Sequence, residues 1–225
     1  MIWKRFEINK QHLKNQYSSD NWDENSGIPL EKLKENCEKI AFESEKPRCI
    51  IRAELICKIL ESAQLEINPL DWFQDKINHG DIISCIENRW LAEALSKSEK
   101  ELKRRKELLS ESCACTGEQD FGHCIPDWKR ILKFGVPGLL HIAEEKLKTC
   151  SDAGQTKFYE NCILVANALI CLLRRFADLA ERNGDKYEKQ KLVARSLRNL
   201  AAGAPTDILE AMQLIIIYYE MQTFV

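Results

Sequence analysis

Four histidines and ten cysteines have the widest chemical range in this sequence, and their spacing limits what they can do. The densest group is Cys113-Ala114-Cys115-Thr116-Gly117-Glu118-Gln119-Asp120-Phe121-Gly122-His123-Cys124. Thiolates and an imidazole are zinc ligands, but structural zinc sites favour ligand pairs separated by two to four residues. Here Cys113 and Cys115 enclose one residue and His123 adjoins Cys124, so reduced thiols on a loop are expected and a metal is not. His123 is the more informative residue. It follows Gly122 and precedes Ile125-Pro126-Asp127-Trp128, where Asp127 can cap the next helix. A histidine held between a glycine and a capped helix is positioned to point at a ligand, although a lone loop histidine is more often a plain surface residue. His141 and Glu145 share one face of a predicted helix, but two ligands do not make a metal site and a solvated pair is expected. The phosphate-loop, dinucleotide, GxSxG and HExxH patterns are absent.

Composition narrows the setting. The 225 residues are 44% hydrophobic, enough for one sizeable core or two small ones, and the formal net charge is −2. That balance gives no electrostatic reason to expect nucleic acid or an anionic membrane as a partner. The longest strongly apolar stretch, Cys162 to Leu173, is twelve residues, short of the roughly 18 a membrane span needs. Met1-Ile2-Trp3-Lys4-Arg5-Phe6-Glu7 has no signal-peptide core, so a cytoplasmic chain is expected. Cys57, Cys85, Cys162 and Cys171 sit within apolar helical patterns, where a free thiol behaves as a small hydrophobe.

The elements that must position these groups are helical throughout. Nine Gly and six Pro punctuate long stretches of 3.6-residue period. Residues 1–28 read as a polar arm and 29–225 as one helical region. Pro29 and Pro47 open helices reaching about Ser44 and Ser62. Leu65 to Pro69 reads as extended, and Leu70 to Ile77 as a short helix. Helices follow over Asp81–Leu95 and Ser98–Ser112, then a long loop from Cys113 to Ile125. A short helix from Asp127 to Phe134 ends at Gly135 in a left-handed cap, and Pro137 starts another to Lys148. The longest helix, Gln155–Arg182, carries Phe158, Cys162, Val165, Leu169, Leu172, Phe176 and Leu179 at spacings of 4, 3, 4, 3, 4 and 3, a buried stripe. Lys186–Leu200 is amphipathic. Asp207 and Glu210 form a capping box for a final element that is apolar on every side, helix or strand by its period alone. The all-α expectation is thus eight to ten helices. The apolar ending Gln222-Thr223-Phe224-Val225 suggests a cut within a buried element.

Three dispersed segments carry a family resemblance. Gly122-His123-Cys124-Ile125-Pro126-Asp127-Trp128 through Gly135 to Leu140 resembles a passage of the glycyl radical enzymes of the pyruvate formate-lyase type. Arg52-Ala53-Glu54 through Asn68-Pro69-Leu70-Asp71-Trp72 is similar to an early helix and extended turn of that family. Ala204-Pro205-Thr206-Asp207-Ile208-Leu209-Glu210-Ala211-Met212-Gln213-Leu214 is similar to its P-x-x-x-x-E-A-L-Q-L helix. The resemblance implies that the chain is the N-terminal portion of a ten-stranded α/β barrel. It also implies radical cleavage of a C–C, C–O or C–N bond in a small-molecule substrate, as in formate acetyltransferase-like enzymes, lyases and dehydratases. A stored glycyl radical, installed by a radical-SAM iron–sulfur activating enzyme, and a thiyl cysteine would serve that chemistry. The family's R-V-x-G-aromatic motif and Gly-Cys context are missing here, so the chain alone is expected to be inactive. His123 matches the family histidine that reaches the substrate pocket in some dehydratases. Cys124 and Trp128 depart from the usual Thr and Tyr and leave the substrate open. The expected partners are the rest of the barrel, the activating enzyme and, for the full-length protein, a second copy in a homodimer. The rival expectation is a stand-alone helical module that binds a partner through its apolar C-terminal segment.

Overall fold

The computed structural model describes residues 22–68, 71–97, 103, 104, 107, 126–184 and 187–222. His123, the cysteines of its loop, His12 and residues 223–225 lie outside the described residues. Seven helices have defined bounds: α1 Leu30–Phe42, α2 Arg48–Ser62, α3 Ile82–Lys97, α4 Trp128–Thr149, α5 Ala153–Asn183, α6 Glu188–Ala202 and α7 Ile208–Gln222. Two single-residue β bridges, Ile28 with Ala63 and Leu65 with Ile77, accompany them among the described residues. The all-α expectation holds, with seven helices bounded among the described residues against the eight to ten expected.

Two differences, together with a helix that lies mostly outside the described residues, explain the count. The short helix expected over Leu70–Ile77 is not formed in residues 71–77. The segment runs back along residues 64–66 instead: the Glu66 amide donates to the Lys76 carbonyl at 3.2 Å and the Asn78 amide to the Gln64 carbonyl at 2.9 Å. The two helices expected around Gly135 form one kinked element, α4. Gly135 has the positive φ expected (61°), but its ψ of 179° makes it an extended hinge rather than a left-handed cap. A Cβ there would stand 2.5 Å from the Gly203 carbonyl oxygen, so only glycine lets the kink rest on the α6–α7 loop. Residues 103, 104 and 107 are helical, and the rest of the Ser98–Ser112 helix lies outside the described residues.

α5 is the axis of the molecule, packed against α2, α4 and α6. Leu172, Leu173 and Phe176 are fully buried there with Leu55, Ile59 and Leu60 of α2 and Leu197 and Leu200 of α6. Asp152 fixes its start by accepting the Gln155 amide at 2.7 Å. The expected stripe is buried only from Leu169 onward; Cys162 and Val165 are half-covered and Phe158 is 61% exposed. The period marks a surface built for packing, but the elements described here cover only its C-terminal half. α1 follows the same logic on a small scale, burying Leu33, Cys37 and Ala41 at four-residue steps.

Arg175, near the middle of α5, binds the start of the described chain to the end of α2. Its guanidinium donates to the carbonyls of Ser26, Leu60 and Ala63. The last two belong to the carbonyls a helix end leaves unpaired. Ser26 adds a second tie, its hydroxyl accepting the Leu65 amide at 2.7 Å.

Candidate functional site

α7 organises the candidate site. Asp207 accepts the Glu210 amide at 2.9 Å, as the capping box requires. The Glu210 carboxylate reaches one residue further back than expected, accepting from the Thr206 amide (2.7 Å) and hydroxyl (2.9 Å) and from Asn199 of α6 (2.7 Å). This buried carboxylate therefore fixes both the loop and the α6–α7 angle. One turn on, buried Gln213 accepts the Gln74 amide at 2.9 Å and donates to the Gln74 carbonyl at 2.8 Å. Gln190 of α6 donates to the Asp71 carbonyl at 3.3 Å, so the irregular segment 71–79 is held from two helices.

The other end of α7 carries titratable groups. Glu220 Oε1 lies 3.9 Å from His79 Nε2, and both side chains are largely covered. Burial, then the neighbouring Asp75 carboxylate, raises the Glu220 carboxyl to about 7. Burial and Asp71 push Asp75 up as well. Burial lowers the His79 imidazole more than nearby Asp81 restores it. A carboxyl that titrates near neutrality beside an uncharged imidazole can accept and release a proton under physiological conditions. The sequence reading missed this pair. The one signal was an acid, Glu220, interrupting an otherwise apolar run from Leu214 to Met221.

α4 completes the corner. Asp127 caps it as expected, accepting the Arg130 amide at 3.2 Å. Trp128 meets Tyr218 of α7 edge-on, with ring centroids 6.2 Å apart. Residues 126–128, which follow His123 closely in sequence, are thereby fastened beside α7. Between α4, α5 and α7 lies an apolar cavity of about 590 Å³ lined by Leu139, Phe158, Cys162, Val165, Tyr218 and Met221 among others. His141 is exposed, and Glu145 pairs with Lys148 at 2.6 Å, so that pair is a solvated helix face. No cluster of three metal-ligating side chains occurs among the described residues. No helix among them is long and apolar enough to cross a membrane.

Two of the three segments that carry the resemblance meet at α7, and the other ends against α6. Asp71 is held by Gln190 and Gln74 by Gln213, Gly135 rests on Gly203 and Ala204, and Trp128 touches Tyr218. Two solved structures share this fold. A protein of 1,2-propanediol dehydration from Roseburia inulinivorans has a similar structure: TM-score 0.63, 16% identity, 88% of this chain covered and 32% of that one. The glycerol-bound B12-independent glycerol dehydratase of Clostridium butyricum is also similar: TM-score 0.54, 16% identity, 91% of this chain covered and 35% of that one. At these identities the likeness is one of fold, and the chain spans about a third of each solved relative. No curated protein matches the chain. The family model described as pyruvate formate lyase-like matches residues 36–223, and the chain belongs to that family.

Proposed function

We propose that the chain is the N-terminal helical part of a glycyl radical enzyme, a lyase or dehydratase acting on a small polar molecule. The observation that carries this reading is a family match over residues 36–223, within a fold shared with two proteins of diol and glycerol dehydration. Residues 1–28 form the arm and 29–225 the helical region. The radical glycine and the thiyl cysteine belong to the rest of the barrel. A radical-SAM iron–sulfur enzyme installs the radical, whose chemistry is homolytic removal of a substrate hydrogen. The 225 residues alone are inactive, and the full-length protein works in the cytoplasm of an anaerobe as a homodimer.

His123 is the substrate contact. Its loop leads into residues 126–128, which the Asp127 cap and the Trp128–Tyr218 contact hold against the buried end of α7. From there the imidazole hydrogen-bonds a substrate hydroxyl or shuttles its proton.

The experiment has two arms. The isolated chain, incubated anaerobically with an activating enzyme, is expected to give no glycyl-type doublet in electron paramagnetic resonance; such a doublet would refute the division of labour. In the complete enzyme, His123→Ala is expected to keep the radical signal while turnover falls about a hundredfold or more, the usual loss for an acid–base group. Unchanged turnover would remove His123 from the pocket.

A further inference from the structure

The apolar stripe of α5 is uncovered where α4 and α7 diverge. Phe158, Cys162 and Val165 follow the i, i+4, i+7 pattern by which one helix meets another, yet Phe158 is 61% exposed. Across the gap stand Ile142 of α4, 39% exposed, and Tyr218 and Met221 of α7. A different face of α7 carries a second exposed apolar row, Ile208 at 71%, Met212 at 41% and Tyr219 at 68%. An exposed apolar groove of this kind marks an interface.

We infer that this groove receives an apolar-faced helix from the part of the pyruvate formate lyase-like fold that the chain does not span. The inference rests on the reading above, that the chain is one part of such an enzyme. Two observations select that occupant. About two thirds of each solved relative's own length lies outside the part this chain spans, and that remainder has to pack against this unit. The open stripe is also in register with the buried one, Leu169 to Leu179, so the same helix face that forms the core here continues into the missing contact.

Cys162 lies in the groove and serves as its reporter, with the exposed thiols Cys49 and Cys85 as references away from it. The chain is purified alone and together with the polypeptide encoded directly after codon 225, and each cysteine's alkylation by N-ethylmaleimide is followed by peptide mass spectrometry. Alone, Cys162 is expected to react and an apolar dye to bind, with dye binding lost in Phe158→Asp. In the pair, Cys162 alkylation should slow about tenfold or more while Cys49 is unchanged, as expected for a thiol covered by packing. Phe158→Asp should weaken co-purification, and Leu192→Asp, also at an exposed apolar position but outside the groove, should not. Equal Cys162 reactivity alone and in the pair would overturn the inference and leave the reading of the family role standing. Protection of Cys162 in a dimer of the chain alone would overturn it in favour of a second copy. Absence of any pyruvate formate lyase-like polypeptide after codon 225 would instead overturn the reading on which it rests.

Discussion

Gln213 and Gln74, 139 residues apart, exchange two hydrogen bonds in which one side chain satisfies both backbone groups of the other residue. The pair does for an irregular segment what a strand partner does for a sheet edge: it pairs the amide and carbonyl of a residue with no helix to use them. The glutamine of the P-x-x-x-x-E-A-L-Q-L resemblance thus has a structural reason.

Gln213→Leu should be strongly destabilising. Both Gln74 backbone groups are then buried without partners, at about 1–3 kcal/mol each, while little volume changes. Urea unfolding followed by circular dichroism is expected to show a loss of about 2–4 kcal/mol. A loss below about 0.5 kcal/mol, the range of a neutral surface change, would show that the bonds are not formed.

Gly135→Ala meets two obstacles at once, a φ of 61° and a Cβ 2.5 Å from the Gly203 carbonyl oxygen. The expected cost is about 3 kcal/mol or more, combining strain with a displaced loop. Gly203→Ala is the control, because a Cβ there has open space within 4 Å. Its unfolding midpoint should stay close to that of the parent chain.

Removing Arg175 opens a different end of the molecule. Arg175→Ala leaves three carbonyls without their donor and is expected to release residues 23–28 from α2. Limited proteolysis should then cut near Gly27 under conditions in which the parent chain resists. Unchanged resistance would mean that Ser26 and the local backbone bonds suffice.

Glu220 gives the chain a pH dependence of a definite sign. Its carboxyl is raised from 4.5 to about 7 by burial and then by Asp75, so the folded state binds a proton that the unfolded state has lost. Its stabilisation is complete below about pH 4.5 and is lost as pH rises through about 7. Asp75, also raised, slopes the same way, and His79, lowered, slopes the opposite way below its ordinary value. Glu220→Gln should flatten the fall between pH 5 and 8 and make the chain more stable than the parent at pH 8, by on the order of 2 kcal/mol. An unchanged profile would place the carboxylate in water.

The thiols should fall into two classes. Burial raises Cys37 to about 11 and Cys57 to about 12, so neither forms appreciable thiolate at neutral pH. Cys49 and Cys85 are exposed. N-ethylmaleimide at pH 7.5 should modify the second pair in the native chain and the first pair only after denaturant is added.

Much of this architecture was written in local patterns. The prolines before α1 and α2, the Asp127 cap and the Asp207–Glu210 box each act over a few residues, and the structure shows all of them. Period alone left α7 undecided between helix and strand, and the capping box favours the helix found. The residues that lock elements together were not legible. Arg175, Gln74, Gln190 and Glu220 have partners far away in sequence, and a polar side chain with a distant partner looks like any solvated one. Residues 71–77 misled for the same reason: an apolar and acidic mixture fits a short helix until the chain from Gln64 to Glu66 lies alongside it. The α5 stripe was read as buried throughout, because period reports that a face is apolar and not which neighbour covers it. The thiol loop and His123 lie outside the described residues.

The Arg175–Ser26 tie carries a cost in time. The two residues are 149 positions apart, so a ribosome adding about 5–20 residues per second makes the first wait roughly seven to thirty seconds for the second. Throughout that interval the apolar face of α2, on which α1 packs, has no α5 to close over it. The cell therefore handles a nascent chain whose opening helices are sticky until its middle arrives, which makes this stretch a natural client for a chaperone during synthesis.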